Sequence, residues 1–381
     1  MLSFKFKNKI FGLIGEYFGF SLELAVRDMY IKLLGNKGID NMHSIQRGLK
    51  NGKRYYILRY QTNIMGLAAV MRDAIFVKKL AVNKGYELLI WFGTGGLVPP
   101  GGCPKMEHPN LWEKLFEQHP TVDEVMANAS NCVVVSPINA RGMYDRDFMK
   151  SLSGDPRDAF YFYGVEEGRY YRSILRNIFS KCCNINESIV EEFNKQCEML
   201  NSFAKGDKLI GVLMREHFSE ECLKGITDEE HLKVLSYHPR VPGVDEIIGV
   251  LKSVIEKTGT HKVFVATLYN ETIKRLKEEL GDDNVYYIDR NRLDCYEQKG
   301  FENLYDYDVT YEDVSSGKAS INEANVYEQN KTYLLELFLL SKCDVFVSPK
   351  CGGGFMVPLM REVDFDEIIY LEQNNCNCVF K

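Results

Sequence analysis

The sequence predicts an α/β protein with two doubly wound domains that face a cleft. Residues 209–215 form an apolar run that ends in a charge, which is typical of a strand buried on both faces of a parallel sheet. Similar runs alternate with amphipathic helices in both halves of the 381-residue chain. We expect an N-terminal domain over 1–204 and a C-terminal domain over 205–381, with the polar segment 204–207 at their boundary.

The first half is organised around a strand–helix–strand unit. Val70, Ala74 and Val77 recur at helical spacing, and Gly85 follows as a helix stop. The first half is predicted to contain strands at 54–60, 86–92 and 131–137 and helices at 67–83, from 110, at 121–129 and at 187–203.

The second half repeats this alternation. Ile247 and Leu251 lie on the apolar stripe of a helix predicted over 244–257, and Gly259 follows it. Asn270 is expected to cap the next helix. The second half is predicted to contain strands at 209–215, 262–267, 285–289, 344–348 and 368–371 and helices at 244–257, 270–280, 332–340 and from 351.

The composition indicates a cytoplasmic protein with reduced thiols. The formal net charge of −6 argues against nucleic-acid binding, which needs a basic face. The eleven cysteines include no pair of C-x-x-C units, which argues against a zinc ribbon. A chain of this length needs no disulfide scaffold. We expect no metal and no other cofactor.

The N-terminal segment 1–20 carries three early lysines and an apolar run that Glu16 interrupts. No small-residue cleavage site follows, so a peripheral helix is favoured over a signal peptide. No run approaches the ~20 apolar residues of a membrane span. We expect at most peripheral association with the inner face of the membrane.

Charged and glycine-rich positions follow two predicted strands of the second half. Arg215 ends strand 209–215, where a guanidinium suits the bidentate binding of phosphate, although a structural carboxylate is an equal alternative. After strand 344–348, Lys350 and the N–H groups of 352–354 suit phosphate as well.

Glu336 lies on a strongly apolar helix, so its buried carboxylate needs a partner. Two partners remain open. The N–H groups of a bound ligand would suit it, and so would an internal Arg or Lys.

Several segments between residues 54 and 361 resemble motifs of the fucosyltransferase-like glycosyltransferases. This group includes nodulation and core α-1,6-fucosyltransferases, protein O-fucosyltransferases and bacterial surface-polysaccharide relatives. The segment 211–218 resembles the family's Gly-Val-His-Val-Arg motif, and Arg215 matches its arginine. The further segments that resemble family motifs are Gly66-Leu67, 110–116, 262–267 and 335–344.

The resemblance implies a GT-B-like fold of two Rossmann-like domains. It implies metal-independent, inverting transfer of fucose or a related sugar from a GDP-sugar to a hydroxyl of a glycan or oligosaccharide. The resemblance and the chemistry of the residues together give these expected donor-binding positions: Gly66, Arg215, His217, Thr267, Glu336, Ser348, Lys350, Cys351, Gly352 and Gly353. Among them, Glu336 falls where an acidic residue of the family meets the guanine base.

Inverting transfer also needs a base for the acceptor hydroxyl. Glu216 and His217 lie beside Arg215, and we take Arg215 and Glu216 as the catalytic pair. His238 is a second candidate for the base.

The alternative function is a catalytically degenerate nucleotide- or glycan-binding protein of the same fold, because Leu213, Leu268 and Gly352 replace motif residues. An oxidoreductase is disfavoured, since no G-x-G-x-x-G follows an early strand with an acidic residue at the expected distance. Asp306-Tyr307-Asp308 has the spacing of a glycosyltransferase metal site but follows no predicted strand.

Overall fold

The chain divides into two compact units, each with its own sheet. One unit comprises residues 1–149 with 182–184, and the other comprises 150–181 with 185–381. Both sheets contain parallel strands, which confirms the predicted α/β class. The structure is a computed structural model, and it describes residues 22, 26, 29, 44–61, 66–93, 110–136, 166–214, 243–292, 323–349 and 351–371.

The first unit is built on a four-stranded sheet. Its described strands and helices are β1 (Ser44–Gln46), β2 (Arg54–Gln61), α1 (Leu67–Asn83), β3 (Glu87–Gly93), α2 (Leu111–Leu115), α3 (Val122–Ala127) and β4 (Cys132–Val135). In the sheet the strands follow the order β1-β4-β2-β3. Strand β2 pairs in parallel with β3 and β4, whereas β1 pairs antiparallel with β4.

The β2–α1–β3 unit has the layout that the sequence predicts. Val70, Ala74 and Val77 are buried, so the apolar stripe of α1 faces the core as expected. Gly85 has a φ of 71°, a left-handed conformation that glycine adopts at little cost, and the chain turns there into β3.

The outer edge of β3 is covered by two amide side chains. Asn110 Oδ1 accepts from the N–H of Phe92 at 2.9 Å, and its Nδ2 donates to the carbonyl of Ile90 at 2.8 Å. Gln118 Oε1 accepts from the N–H of Ile90 at 2.7 Å, and its Nε2 donates to the same carbonyl at 3.1 Å. Because Asn110 Oδ1 also accepts from the N–H of Trp112, it starts α2 as well.

The second unit is built on a five-stranded sheet in which each adjacent pair of strands is parallel. Its strands are β5 (Leu209–Leu213), β6 (Lys262–Ala266), β7 (Val285–Tyr286), β8 (Val345–Pro349) and β9 (Glu367–Leu371). Its described α-helices are α4 (Glu166–Cys182), α5 (Glu187–Ala204), α6 (Val244–Thr258), α7 (Asn270–Leu280), α8 (Glu323–Leu340) and α9 (Gly352–Met356).

Strand β5 is the central strand, as predicted, in the order β7-β6-β5-β8-β9. All of its residues are buried, which explains its continuous apolar run. Helix α6 buries the predicted stripe and ends at Gly259, which has a φ of 72°. The expected cap of α7 is wrong by one position, because Tyr269 takes the N-cap conformation and Asn270 already lies in the first turn.

Two helices before residue 205 pack in the second unit. On α5, the ring of Phe193 lies 5.5 Å from that of Phe338, and the ring of Phe203 stacks on Tyr286 at 5.4 Å. The boundary expected at 204 and 205 therefore falls inside this unit.

Helix α4 is fixed to the segment that follows α9. Asp364 accepts from Arg172 Nε at 3.1 Å and from Arg176 Nη2 at 2.5 Å. Arg176 Nε also donates to the carbonyl of Pro358 at 3.0 Å. These bonds hold the end of the β8–α9 segment against α4.

Some predictions concern segments outside the described residues, namely the N-terminal helix over 1–20, the alternative base His238 and Asp306-Tyr307-Asp308. No helix in the described part of the chain combines the length and the apolar character needed to cross a bilayer. None of the described cysteines forms a disulfide: Cys132, Cys182, Cys183, Cys197, Cys343 and Cys351.

Candidate functional site

The strand order of the second unit reverses between β5 and β8. From β5 the chain continues to β6 and β7 on one side, and it then crosses to β8 and β9 on the other. In open parallel sheets, ligands bind beyond the carboxyl ends of the strands at such a reversal. The candidate site is therefore the carboxyl edge of this sheet, where Leu213 ends β5 and Pro349 ends β8.

Met214 is the last described residue before the predicted catalytic pair. Its N–H donates to the carbonyl of Ala266 at 2.9 Å, which extends the pairing of β5 with β6 by one residue. The roles assigned to the next residues stay predictions, because the following positions lie outside the described residues: Arg215, Glu216, His217 and Lys350.

The turn after β8 uses several of its polar atoms internally. Ser348 is fully buried, and its Oγ donates to the carbonyl of Pro349 at 2.8 Å. Cys351 Sγ accepts from the N–H of Gly354 at 3.4 Å and so caps the short helix α9. Of the three N–H groups at 352–354 that were expected to face phosphate, the one at Gly354 is already occupied.

Gly353 is buried where the turn packs against its neighbours. A Cβ atom at this position would lie 2.6 Å from Tyr333 Oη and 2.7 Å from Leu213 Cδ2. The close approach of α8 and the end of β5 thus requires glycine here, independently of any ligand. Its neighbour Gly352 is half-buried.

Glu336 is buried in the middle of α8, with 1% of its surface exposed, as its apolar surroundings predict. Its Oε2 accepts from Arg290 Nη1 at 2.7 Å, and its Oε1 lies 3.7 Å from Arg292 Nη2. Of the two partners that the sequence left open, the structure therefore contains the internal arginine. Burial raises the pKa of Glu336 above its ordinary value, and the two arginines oppose that rise.

Arg290, Arg292, Gln329 and Glu336 form what we call the arginine cluster. Gln329 Oε1 accepts from Arg290 Nη2. Arg292 Nε donates to the carbonyl of Thr267 at 3.2 Å, and its Nη2 donates to that of Ile288 at 2.5 Å. Since Thr267 directly follows β6, the cluster lies at the carboxyl edge of the sheet. Burial lowers the pKa of Arg292, and Glu336 opposes this.

The other predicted donor-binding positions lie in different surroundings. Thr267 is buried, and its Oγ1 accepts from the N–H of Tyr269 at 3.2 Å. Gly66 belongs to the first unit, where its carbonyl accepts from the N–H of Ala69 at 3.0 Å at the start of α1. The structure thus joins Thr267 to Glu336 through Arg292, and it groups Ser348 with Cys351, Gly352 and Gly353.

The sequence contains a signal for the two arginines that our sequence analysis did not use. Arg290-Asn291-Arg292 is a polar run directly after the strand predicted over 285–289, and Arg215 was likewise placed at the carboxyl end of a predicted strand. Within the described ranges, no group of three or more His, Cys, Asp or Glu side chains is arranged to hold a metal ion.

No family model matches the sequence, and no curated protein matches it. Among solved structures, the chain is similar to a NodZ α-1,6-fucosyltransferase soaked with GDP-fucose, with 11% identity, 81% of this chain and 93% of that chain covered, and a TM-score of 0.40. It is similar to the fucosyltransferase NodZ from Bradyrhizobium with 12% identity, 77% of this chain and 88% of that chain covered, and a TM-score of 0.37. It is similar to POFUT1 in complex with GDP with 10% identity, 85% of this chain and 99% of that chain covered, and a TM-score of 0.39.

Proposed function

We propose that this protein is a metal-independent, inverting glycosyltransferase. It transfers fucose or a related sugar from a GDP-sugar to a hydroxyl of a glycan acceptor. The observation that carries the proposal is the reversal of strand order between β5 and β8. In the sequence, Arg215 lies just beyond β5, and the donor-binding positions expected over 348–353 lie at the end of β8 and directly after it, so both groups belong to strands that flank the reversal.

The chemistry requires positive charge for the leaving group and a base for the acceptor. The acceptor oxygen forms a bond to the anomeric carbon while the bond from that carbon to the diphosphate breaks on the opposite face. Arg215 meets the charge that develops on the departing GDP. Glu216 takes the proton of the acceptor hydroxyl.

The arginine cluster supports an anionic donor at the same edge. Two guanidinium groups face one carboxylate there, which leaves an excess of positive charge. Guanidinium groups are suited to diphosphate because they stay charged and offer a planar set of N–H donors.

Calorimetry with GDP, UDP, CMP and ADP in the presence of EDTA tests the donor. We expect GDP to bind and to raise the melting temperature, because a ligand of the native state stabilises it. Selective binding of UDP, or binding only with a divalent ion, contradicts the proposal. Release of GDP from GDP-fucose in the presence of a glycan acceptor then separates an enzyme from a binding protein.

A further inference from the structure

We propose that Arg290 binds a phosphate group of the ligand and that Glu336 positions this arginine without contacting the ligand. The inference rests on the proposed function for the identity of the ligand, a nucleoside diphosphate. In this proposal the carboxylate of Glu336 holds Arg290 in place. The family resemblance instead implied that this carboxylate accepts hydrogen bonds from a guanine base.

The described charges of the arginine cluster do not cancel. The side chains of Arg290, Arg292 and Glu336 are 5%, 1% and 2% exposed. Two positive charges and one negative charge leave one positive charge in excess in a desolvated place. Asp289 adds a negative charge nearby but is exposed to water, so it compensates weakly. Because a buried charge without a counter-ion is strongly unfavourable, the cluster favours the binding of an anion.

The two arginines differ in their hydrogen bonding. Arg292 is committed to the fold, since it donates to the carbonyls of Thr267, Ile288 and Arg290. Arg290 donates to Glu336 and Gln329, but its Nε is buried and has no hydrogen-bond partner among the described residues. A buried N–H without an acceptor is costly, and a phosphate oxygen would satisfy it.

The carboxylate of Glu336 is placed between the two arginines. Its Oε2 is engaged by Arg290 at 2.7 Å, which fixes the plane of the guanidinium. Its Oε1 is buried without a hydrogen bond from any described residue and lies 3.7 Å from Arg292 Nη2. Both oxygens therefore face arginines, and the carboxylate is better placed to hold Arg290 than to accept from a base.

Calorimetry of Arg290→Gln with two probes tests the inference. Inorganic pyrophosphate reports the phosphate subsite, and guanosine reports the base alone. We expect Arg290→Gln to lower the affinity for pyrophosphate and for GDP by at least about tenfold, because one charge-assisted hydrogen bond is lost. The affinity for guanosine should stay unchanged. The matched control is Arg275→Gln, which removes a surface arginine paired with Asp245 and should bind like wild type.

A second variant keeps the test valid if Arg290→Gln does not fold. Arg290→Lys retains the charge but loses the planar fork, so we expect weaker pyrophosphate binding with unchanged guanosine binding. Glu336→Gln removes the carboxylate, and its affinity for guanosine should equal that of wild type.

Three outcomes overturn the inference. The first is that the wild-type protein does not bind pyrophosphate. The second is that the Arg290 variants bind pyrophosphate as tightly as wild type. The third is that Glu336→Gln loses affinity for guanosine but keeps its affinity for pyrophosphate. The proposed function alone is refuted if pyrophosphate binding depends on Arg290 while the protein does not prefer GDP to UDP and transfers no sugar. Conversely, GDP-dependent transfer with unchanged pyrophosphate binding in Arg290→Gln refutes only the subsite.

Discussion

A Cβ atom on Gly211 would lie 2.9 Å from Sγ of Cys343 and 3.0 Å from Cδ2 of Leu340. The central strand β5 and the end of α8 thus approach each other too closely for a side chain at position 211. Cys343 is fully buried two residues before β8 begins, so this close packing lies beside the two strands that flank the reversal.

Gly211→Ala should destabilise the protein through this contact. We expect the free energy of unfolding to fall by about 1–3 kcal/mol, the usual cost of overpacking a core. Urea denaturation followed by circular dichroism measures it. Cys343→Ala in the same chain removes Sγ and should recover part of the loss, whereas strict additivity of the two changes would contradict the contact.

The matched control is Gly249→Ala. Gly249 lies on the exposed face of α6, where an added Cβ meets nothing within 4 Å. Because alanine favours helix over glycine by about 1 kcal/mol, this change should be neutral or stabilising.

Asp364 should contribute a pH-dependent part of the stability. Burial alone would raise its pKa, but the hydrogen bonds from Arg172 and Arg176 outweigh this and hold the pKa below its ordinary value. Its contribution is therefore fully present above the unfolded pKa, about 3.9, and is lost as the pH falls through the lower pKa of the folded state.

The test is urea unfolding of wild type and Asp364→Asn at a series of pH values from neutral into the acid range. We expect the variant to be less stable at neutral pH and the difference between the two proteins to shrink as the pH falls below about 4. A difference that is independent of pH would show that the carboxylate charge does not matter.

Arg215→Ala should nearly abolish sugar transfer. The variant lacks the positive charge that stabilises the departing GDP, and this charge matters more in the transition state than in the ground state. We therefore expect kcat to fall by about 100-fold or more. Arg215→Lys should recover little of this, since an ammonium has no planar fork. The measurement is GDP release from GDP-fucose with acceptor, and full turnover by Arg215→Ala would refute the mechanism.

Glu216→Gln should separate catalysis from binding. If Glu216 is the base, the rate falls by about 100-fold while the affinity for GDP stays within about twofold of wild type, because the amide cannot accept the acceptor proton. Steady-state kinetics and calorimetry on the same preparation give both values. A variant that loses GDP affinity and rate together would indicate donor binding by Glu216.

The elements with strong periodicity were predicted closely, and the elements fixed by distant contacts were not. Strand β5 and helix α6 follow directly from a buried run and an amphipathic stripe. Helix α4 was missed because its polar sequence is held by Asp364, which lies 192 residues from Arg172. Strand β1 was missed because its three residues are ordered by pairing with β4.

The candidate site shows the same division. The burial of Glu336 and its need for a partner follow from its apolar helix, as the structure confirms. Its partner Arg290 lies 46 residues away, just beyond a strand that ends earlier than predicted, so local pattern could not identify the pair. Helix α8 was predicted to begin at 332 but begins at Glu323, because its first half buries polar residues such as Asn330.

The amide groups of Asn110 and Gln118 occupy the positions that another strand would use along β3. A long apolar edge strand with open N–H and C=O groups recruits strands from other molecules and starts aggregation. Here the N–H and C=O of Ile90 and the N–H of Phe92 are satisfied within the same chain. These two side chains therefore protect the first sheet from self-association, and a nascent chain acquires this protection only once residue 118 has been synthesised.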